Sequence, residues 1–181
     1  KDFIIYVYDD GSTDKTLQIL YRQTDSRLKI LESSVNKGVS AIRKSCLEEI
    51  DADLIAFLDA DDILVNNKFA MQLADFAADP DLSVSVSDFM FSRHNIQERF
   101  VLKTHNAFFV SAYPVNDFLF RWERGLTIPP HCFLFRREVF FKDEVLEFDT
   151  RLCSREDWLM WCTLALKEVK FKFNSQVMAI D

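Results

Sequence analysis

The sequence predicts an α/β fold built around a parallel β-sheet, and two features of the chain support this prediction. Apolar runs suited to strands alternate with helical patterns through residues 3–58, in the order strand, helix, strand, helix, strand. That order is typical of parallel strands joined by right-handed crossovers. The chain of 181 residues, of which 49% are hydrophobic and 28% charged, is also long enough for one domain with a substantial core.

The hydrophobic pattern places the individual elements along the chain. Strands are expected near residues 3–8, 28–32 and 54–58, with helices near 13–23 and 38–50 between them. The later elements are strand-like residues over 82–102, a strand at 132–135, a helix at 155–168, and strands at 169–173 and 177–180.

An amphipathic helix is expected near residues 66–78. Phe69, Leu73 and Phe76 recur there at helical spacing, and Asn66 can cap the start. We therefore expect these three apolar side chains to form the buried face of the helix.

Composition and charge exclude several classes of function. The formal net charge of −7 argues against a nucleic-acid-binding protein, since such proteins usually carry a basic face or stripe. The four cysteines have no paired spacing, so we expect reduced thiols and no structural zinc. The chain has neither an apolar run of about 18 residues nor a signal-peptide pattern, and we expect a cytoplasmic protein.

An acidic cluster at residues 59–62 is the most informative feature of the sequence. Asp59, Asp61 and Asp62 directly follow the apolar run 54–58, at the sheet edge where ligands bind in α/β folds. Carboxylates so close together repel one another unless protons or cations intervene, and a divalent cation can bridge them to phosphate oxygens. The alternative is a solvated acidic loop. The predicted buried strand favours a metal site for a phosphate-bearing substrate, although spacing does not show which carboxylates bind the metal.

A second acidic pair, Asp9 and Asp10, follows the first predicted strand. Gly11 suits a tight turn and Ser12 can cap the next helix, so a purely structural interpretation explains the residues after the pair. It does not explain the pair itself, whose carboxylates could accept hydrogen bonds from a nucleobase or a sugar. Both interpretations stay open on spacing alone. Because both acidic groups follow strands of the predicted sheet, we expect them to converge in space.

Three stretches of the chain together resemble family 2 glycosyltransferases with the GT-A fold. They are residues 6–16, 36–43 and 56–62, in that order and at that spacing. Residues 134–140 are also similar to that family's acceptor-side strand, and residues 155–161 to its Glu-Asp motif. The resemblance covers nearly the whole chain. It implies a Rossmann-like, three-layer α/β/α fold with a mostly parallel, mixed central sheet.

The resemblance also implies roles for single residues. Asp10 would contact the nucleobase, and Arg43 would lie near the base or the diphosphate. Asp59, Ala60 and Asp61 would form the family's Asp-x-Asp motif and bind the nucleotide sugar. Within that motif Asp59 and Asp61 would hold Mn²⁺ or Mg²⁺, with Asp61 as the direct metal ligand.

Asp157 has two interpretations. Residues 154–157 precede an apolar run in a capping-box pattern, and spacing alone favours a cap. The resemblance implies instead that Asp157 is the catalytic base, and the two roles are compatible because a helix N-terminus helps to hold an aspartate ionised. Glu156 and His131 are assigned to the acceptor side, although a lone histidine is more often structural. The three tryptophans and the many phenylalanines are assigned to core packing.

The function implied by the resemblance is inverting glycosyl transfer. A sugar would move from a nucleotide diphosphate sugar, in the first instance a UDP-sugar, to a hydroxyl of a saccharide or lipid-linked acceptor. The product would belong to a cell-surface polysaccharide or glycolipid. One alternative is a haloacid-dehalogenase-type phosphatase, in which Asp59 would be phosphorylated with the help of Mg²⁺. Another is a noncatalytic module that binds nucleotide sugars.

The domain organisation follows from the same resemblance. Residues 1–181 are expected to form a single catalytic domain, with a nucleotide-sugar half at 1–103 and an acceptor half at 104–181. The family's first strand and helix would precede Phe3, and a further segment would follow the last strand. Peripheral association with the inner face of the membrane is expected through parts outside this chain.

Overall fold

The computed structural model describes residues 3–93, 100–102, 112–122, 124, 126–141, 148–152 and 154–180. The chain forms two compact units. The first comprises Lys1–Asp51 and Glu147–Glu156, and the second comprises Ala52–Leu146 and Asp157–Asp181. The expected nucleotide-sugar half at 1–103 and acceptor half at 104–181 are a division by function. That division stays a prediction.

The first unit is built on a pair of parallel strands. Strands β1 (Ile5–Asp10) and β2 (Leu28–Ser33) pair in register from Ile5 opposite Leu28 to Asp10 opposite Ser33. Helix α1 (Thr16–Leu20) connects them, and helix α2 (Val39–Glu49) follows β2. The predicted strand-helix-strand-helix order is therefore confirmed in this unit. Helix α1 is shorter than predicted because the N–H groups of Arg22 and Gln23 bond three residues back, which tightens the chain into turns.

The second unit contains a six-stranded mixed sheet. Its strands are β3 (Leu54–Ile55), β4 (Ile63–Leu64), β5 (Val84–Arg93), β6 (Phe100–Leu102), β7 (Phe133–Arg136) and β8 (Phe171–Ile180). Their order is β3-β7-β5-β8-β4, and β6 pairs with β5. The later helices are α3 (Lys68–Ala78), α4 (Val115–Phe120), α5 (Glu138–Phe141) and α6 (Glu156–Leu166), and a 3₁₀ turn spans Pro130–Cys132. No helix in the described part of the chain is long and apolar enough to cross a bilayer.

The sheet contains less parallel pairing than the sequence suggests. Among the described strands only β1 with β2 and β5 with β8 run parallel, whereas the pairs of β7 with β3 and β5, of β5 with β6 and of β4 with β8 are antiparallel. The predicted buried strand at 54–58 is also wrong in part. Ile55 and Phe57 are buried, but Ala56 and Leu58 are exposed. This alternation follows because β3 lies at the end of the strand order, where one face is solvated.

An aromatic cluster forms the core of the second unit. Trp161 of α6 stacks on Phe133 and Phe135 of β7, with ring centroids 4.1 and 5.5 Å apart. Phe57 and Phe140 meet Phe135 edge-on at 6.1 and 5.1 Å. The assignment to the core is therefore confirmed for Trp161 and for these four phenylalanines. Trp122 and Trp158 are only half-buried, and other phenylalanines, such as Phe120, are exposed. Offset and edge-on pairs of this kind add about 0.5–1.5 kcal/mol each beyond the area that they bury.

Helix α3 buries polar side chains and exposes two of its predicted core residues. Phe69 and Leu73 are 42% and 49% exposed, whereas Lys68 and Gln72 are fully buried. Of the expected apolar face, only Phe76 is buried. The helix starts after Asn67, whose side chain makes no capping hydrogen bond, so the predicted cap at Asn66 is wrong as well.

Hydrogen bonds explain why α3 can bury these polar groups. Lys68 Nζ donates to Gln72 Oε1, and Gln72 Nε2 donates to the carbonyl oxygens of Ser85 and Cys132, each at 3.0 Å. Asp75 accepts the Ser85 hydroxyl at 2.7 Å. A neutral polar group that keeps its hydrogen bonds costs little to bury, whereas the charge of Lys68 remains desolvated. Periodicity in the sequence does not reveal such partners.

Candidate functional site

The turn after β1 is organised by Asp9. Its Oδ1 accepts the N–H of Ser12 at 3.0 Å, and Gly11 has φ +78°, which only glycine adopts without strain. Asp9 Oδ2 is buried and has no hydrogen-bond partner among the described residues. A buried carboxylate oxygen without a donor is costly, so this atom is suited to receive an N–H from a ligand. The spacing of the sequence indicated a ligand role for either carboxylate of the pair, and only the family resemblance implied Asp10 as the contact to the base.

Asp10 is occupied by the backbone at the start of α2. Its two carboxylate oxygens accept the N–H groups of Lys37 and Gly38, each at 2.8 Å, and Oδ1 also accepts the Ser33 hydroxyl at 3.1 Å. Burial raises the pKa of Asp10, but these hydrogen bonds outweigh burial, and the pKa lies below its usual value. Asp10 therefore fixes the loop between β2 and α2 as an ionised carboxylate.

Arg43 and Glu156 form a buried ion pair in the first unit. Arg43 Nη1 donates to Glu156 Oε1 at 3.3 Å, and both side chains are about nine-tenths buried. The guanidinium carbon lies 5.9 Å from the ring centroid of Phe148, within the range of a cation–π contact. The structure thus brings together two residues that the sequence analysis assigned to different sides of the reaction. Phe148, a third member of this group, was not predicted.

The acidic cluster forms a tight turn. The carbonyl oxygen of Asp59 accepts the N–H of Asp62 at 3.2 Å, which leaves Ala60 and Asp61 at the corner. Both corner residues are exposed, Asp59 is half-buried, and the side chain of Asp62 is buried. The carboxylate most accessible to a ligand is therefore that of Asp61, as the predicted role in metal binding requires.

His131 lies buried against this turn. Its Nδ1 contacts Asp62 Oδ2, and its ring meets Phe89 edge-on at 6.3 Å. Burial lowers the pKa of His131 to about 4, although the charges of Asp59 and Asp61 act in the opposite direction. The imidazole is therefore neutral at neutral pH.

The acidic turn suits a divalent ion that takes few protein ligands. Among residues that the structure describes, no group of three or more His, Cys, Asp or Glu side chains is arranged to hold a metal ion. Mg²⁺, however, is usually bound through one or two carboxylates together with waters and substrate phosphates. The exposed Asp61 and the half-buried Asp59 offer hard oxygen donors of that kind. The donor chemistry of the turn therefore fits Mg²⁺ or Mn²⁺.

Asp157 lies in the first turn of α6. Its Oδ1 accepts the N–H of Trp158 at 2.7 Å, and Trp158 Nε1 donates to the Phe118 carbonyl at 2.7 Å. The helix begins at Glu156, and Arg155 before it has φ +65°. Asp157 therefore bonds an amide of the first turn and is half-buried. Unpaired amides at a helix N-terminus favour the ionised carboxylate.

The expected convergence of the two acidic groups stays a prediction. Asp9 and Asp10 belong to the first unit, whereas Asp59, Asp61 and Asp157 belong to the second. What the structure does show is that each group has its own set of partners. Those partners, such as Lys37 or His131, carry no sequence pattern that would have identified them.

Comparison with known proteins identifies the family. Residues 1–142 match the family model described as glycosyl transferase family 2. The β-1,3-glucosyltransferase WfgD of Escherichia coli is 39% identical over 70 residues, which cover 39% of this chain and 28% of that protein. An uncharacterized glycosyltransferase of Methanocaldococcus jannaschii is 26% identical over 94% of this chain and 57% of its own length.

Solved structures agree with this match. S. aureus TarS in complex with UDP superposes with a TM-score of 0.74 at 22% identity, covering 99% of this chain and 51% of that one. A mannosyltransferase of Pyrobaculum calidifontis, in complex with GDP-Man and Mn²⁺, gives a TM-score of 0.68 at 16% identity over 98% of this chain and 47% of that one. The chain thus spans about half of these structures and less of WfgD. It has the GT-A fold, and with a family match over most of its residues it belongs to glycosyl transferase family 2.

Proposed function

We propose that the protein is a glycosyltransferase that moves a sugar from a nucleotide diphosphate sugar to an acceptor hydroxyl with inversion. Membership of glycosyl transferase family 2 is the observation that carries this proposal. The names of relatives give it chemical direction: TarS has been crystallised with UDP and with UDP-GlcNAc, and the name of WfgD specifies UDP-Glc and a diphosphoundecaprenol-linked acceptor. By analogy, we propose a UDP-sugar as the donor. The acceptor would be a saccharide or a lipid-linked sugar, and the product would belong to a cell-surface polysaccharide or glycolipid.

Asp9, Asp10 and Arg43 are the residues that we propose to act on the nucleotide. Asp9 Oδ2, which is buried without a partner among the described residues, would accept an N–H of the base. Asp10 would act by fixing the loop before α2, because both of its oxygens already accept backbone N–H groups. Arg43, paired with Glu156, would contribute positive charge near the base or the diphosphate.

The residues of the acidic turn are those that we propose to act on the diphosphate. Asp61 would hold Mn²⁺ or Mg²⁺ directly, with Asp59 as the second carboxylate and Ala60 as part of the same nucleotide-sugar contact. When bound, such an ion neutralises charge that develops on the departing diphosphate. The Mn²⁺ in the mannosyltransferase structure supports this assignment by analogy.

Asp157 would be the catalytic base. Its carboxylate would take the proton of the acceptor hydroxyl while the hydroxyl oxygen attacks the anomeric carbon and the bond to the diphosphate breaks. The start of α6 favours the ionised form that this step requires. An acceptor-side location for Glu156 and His131 is a prediction, and both side chains are already engaged, with Arg43 and with Asp62. A lipid-linked acceptor would bring the protein to the cytoplasmic face of a membrane as a peripheral partner.

Substitution Asp157→Asn tests the catalytic assignment. General-base catalysis is typically worth about 10² to 10⁴ in rate, so Asn should reduce acceptor-dependent release of UDP by that factor. Binding of the UDP-sugar, measured by calorimetry on the full-length protein, should remain. Asp149→Asn is a suitable control, since that carboxylate is paired only with the exposed Arg151 among the contacts described.

Two outcomes would favour the alternatives. Near-normal transfer by Asp157→Asn would contradict its role as the base. Phosphorylated Asp59 without any requirement for an acceptor would point to a phosphatase, and binding of UDP-sugars without transfer to any acceptor would point to a noncatalytic module.

A further inference from the structure

His131 is placed behind the acidic turn by the topology of the second unit. The 3₁₀ turn Pro130–Cys132 leads directly into β7, which runs antiparallel to β3 with Leu54 opposite Arg136 and Ile55 opposite Phe135. Because this pair is antiparallel, the start of β7 lies toward the end of β3, from which the chain runs on to the acidic turn. A residue at 131 therefore reaches the turn from the side of the core.

The contact that His131 makes is directed at one of the three carboxylates. Nδ1 contacts Asp62 Oδ2, and the two side chains are 0% and 6% exposed. A bare ring nitrogen and an ionised carboxylate would oppose two lone pairs, so with Asp62 ionised the proton of the neutral ring lies on Nδ1. The edge-on contact with Phe89 holds the ring at an interplanar angle of 80°. Neither ring nitrogen makes a hydrogen bond of regular geometry with the described residues, and the close approach of Nδ1 to Asp62 Oδ2 is the polar contact that the structure gives the imidazole.

This contact divides the acidic cluster into an inward and an outward part. Asp62 turns toward the core and His131, whereas Asp61 is exposed at the corner of the turn. The N–H of Asp62 also closes the turn on the Asp59 carbonyl, so its backbone and side chain are both fixed. Fixing the last residue of a four-residue turn restricts the orientation of the residues before it.

We infer that His131 is a positioning residue that holds the acidic turn through Asp62, so that Asp59 and Asp61 present their carboxylates together to a metal–diphosphate group. This inference rests on the proposed function, since that function assigns the two carboxylates to such a group. His131 acts from within the protein and does not touch the donor. Loss of an outer-shell partner that bonds a metal ligand directly typically weakens metal binding about 10- to 100-fold. His131 acts one contact further away, through Asp62, so we expect the lower end of that range.

Three substitutions of His131 separate positioning from simple packing. In the full-length protein, His131→Leu should weaken Mn²⁺-dependent binding of UDP, measured by calorimetry, about 10-fold or more. His131→Asn places an N–H near the position of Nδ1 and should recover most of that loss, whereas His131→Gln places its amide near Nε2 and should not. Ser85→Ala is the matched control: it removes a buried hydrogen bond to Asp75 in the same unit, so it lowers the melting temperature without weakening UDP binding.

The protonation of the ring gives a second measurement, which does not depend on nucleotide binding. Nitrogen chemical shifts of His131 should show the Nδ1–H tautomer in the wild type, and Asp62→Ala should abolish that preference. His131→Leu that binds UDP within about twofold of the wild type would overturn the inference, as would an Nε2–H tautomer in the wild type. If the wild type bound no nucleotide, the proposed function would fail, and the tautomer would still decide whether the contact exists.

Discussion

At the scale of single residues, buried polar groups of the second unit depend on specific partners. The ammonium group of Lys68 is fully buried and donates to the neutral amide of Gln72. Burial lowers the pKa of Lys68 to about 8. The sequence could not predict this arrangement, because Gln72 is anchored by Ser85 and Cys132, 13 and 60 residues further along the chain. The acidic turn shows the same limit: its carboxylates were predicted, but the partner of Asp62 was not.

Replacement of Lys68 by methionine should leave the free energy of unfolding at pH 7 unchanged or raise it by up to about 2 kcal/mol. Removal of the buried charge should raise the free energy of unfolding by about 3 kcal/mol. Loss of the hydrogen bond to Gln72 should lower it by about 1–3 kcal/mol. Urea denaturation measures the difference. The exposed Lys167 provides the control, since Lys167→Met should change stability by less than about 0.5 kcal/mol.

The dependence of stability on pH provides a second test of the desolvation of Lys68. The folded pKa of Lys68 lies below the ordinary value of 10.5, so the unfolded chain binds more protons between about pH 8 and 10.5. Wild-type stability should therefore rise relative to Lys68→Met across this interval, by about 3 kcal/mol in total. If the free energies of unfolding of the two proteins changed in parallel with pH, and Lys68→Met were strongly destabilised, the ammonium group of Lys68 would not be desolvated.

At the scale of elements, local patterns predicted most of the longer strands and helices, but not the short β4, α4 and α5, and tertiary partners set the limits of each element. The strands expected at 169–173 and 177–180 are one strand, Phe171–Ile180, whose pairing with β5 shifts register around Asp88. A break in the apolar pattern thus appears as an irregularity within one strand. The position of helix α3 was predicted correctly, but its buried face was predicted wrongly. The periodicity of apolar residues contains no information about the hydrogen bonds that allow Lys68 and Gln72 to be buried.

The turn between β1 and α1 has a steric requirement that can be tested. A Cβ on Gly11 would lie 2.9 Å from the carbonyl carbon of Val35 and 3.0 Å from the Asn36 nitrogen, both backbone atoms. Gly11→Ala should cost about 1–2 kcal/mol from positive φ and about 1–3 kcal/mol from overpacking. Asparagine tolerates positive φ but keeps the Cβ, so Gly11→Asn should remain destabilised. Recovery of wild-type stability in Gly11→Asn, measured by thermal unfolding, would show that the close approach is absent.

At the scale of the whole molecule, the sequence predicted the family and the GT-A fold, and both are confirmed. It could do so because the turn after β1, the loop before α2 and the acidic turn keep a recognisable order along the chain. The proportion of parallel strands was overestimated because β3 contains only two residues and pairs antiparallel with β7. Roles for Asp10, Arg43 and Asp157 remain predictions, since they depend on a bound donor and acceptor.

Metal-dependent binding of UDP is the property by which the proposed nucleotide-sugar site stands or falls. Calorimetric titration of the full-length protein with UDP should show binding that requires Mn²⁺. Asp61→Ala should weaken it at least about tenfold, because a direct carboxylate ligand matters no less than an outer-shell partner. Asp53→Ala should bind like the wild type, since this exposed residue lies at the opposite end of β3. Binding of UDP that is unaffected by Mn²⁺ or by Asp61→Ala, or no binding of UDP, GDP or any other nucleoside diphosphate, would contradict the account.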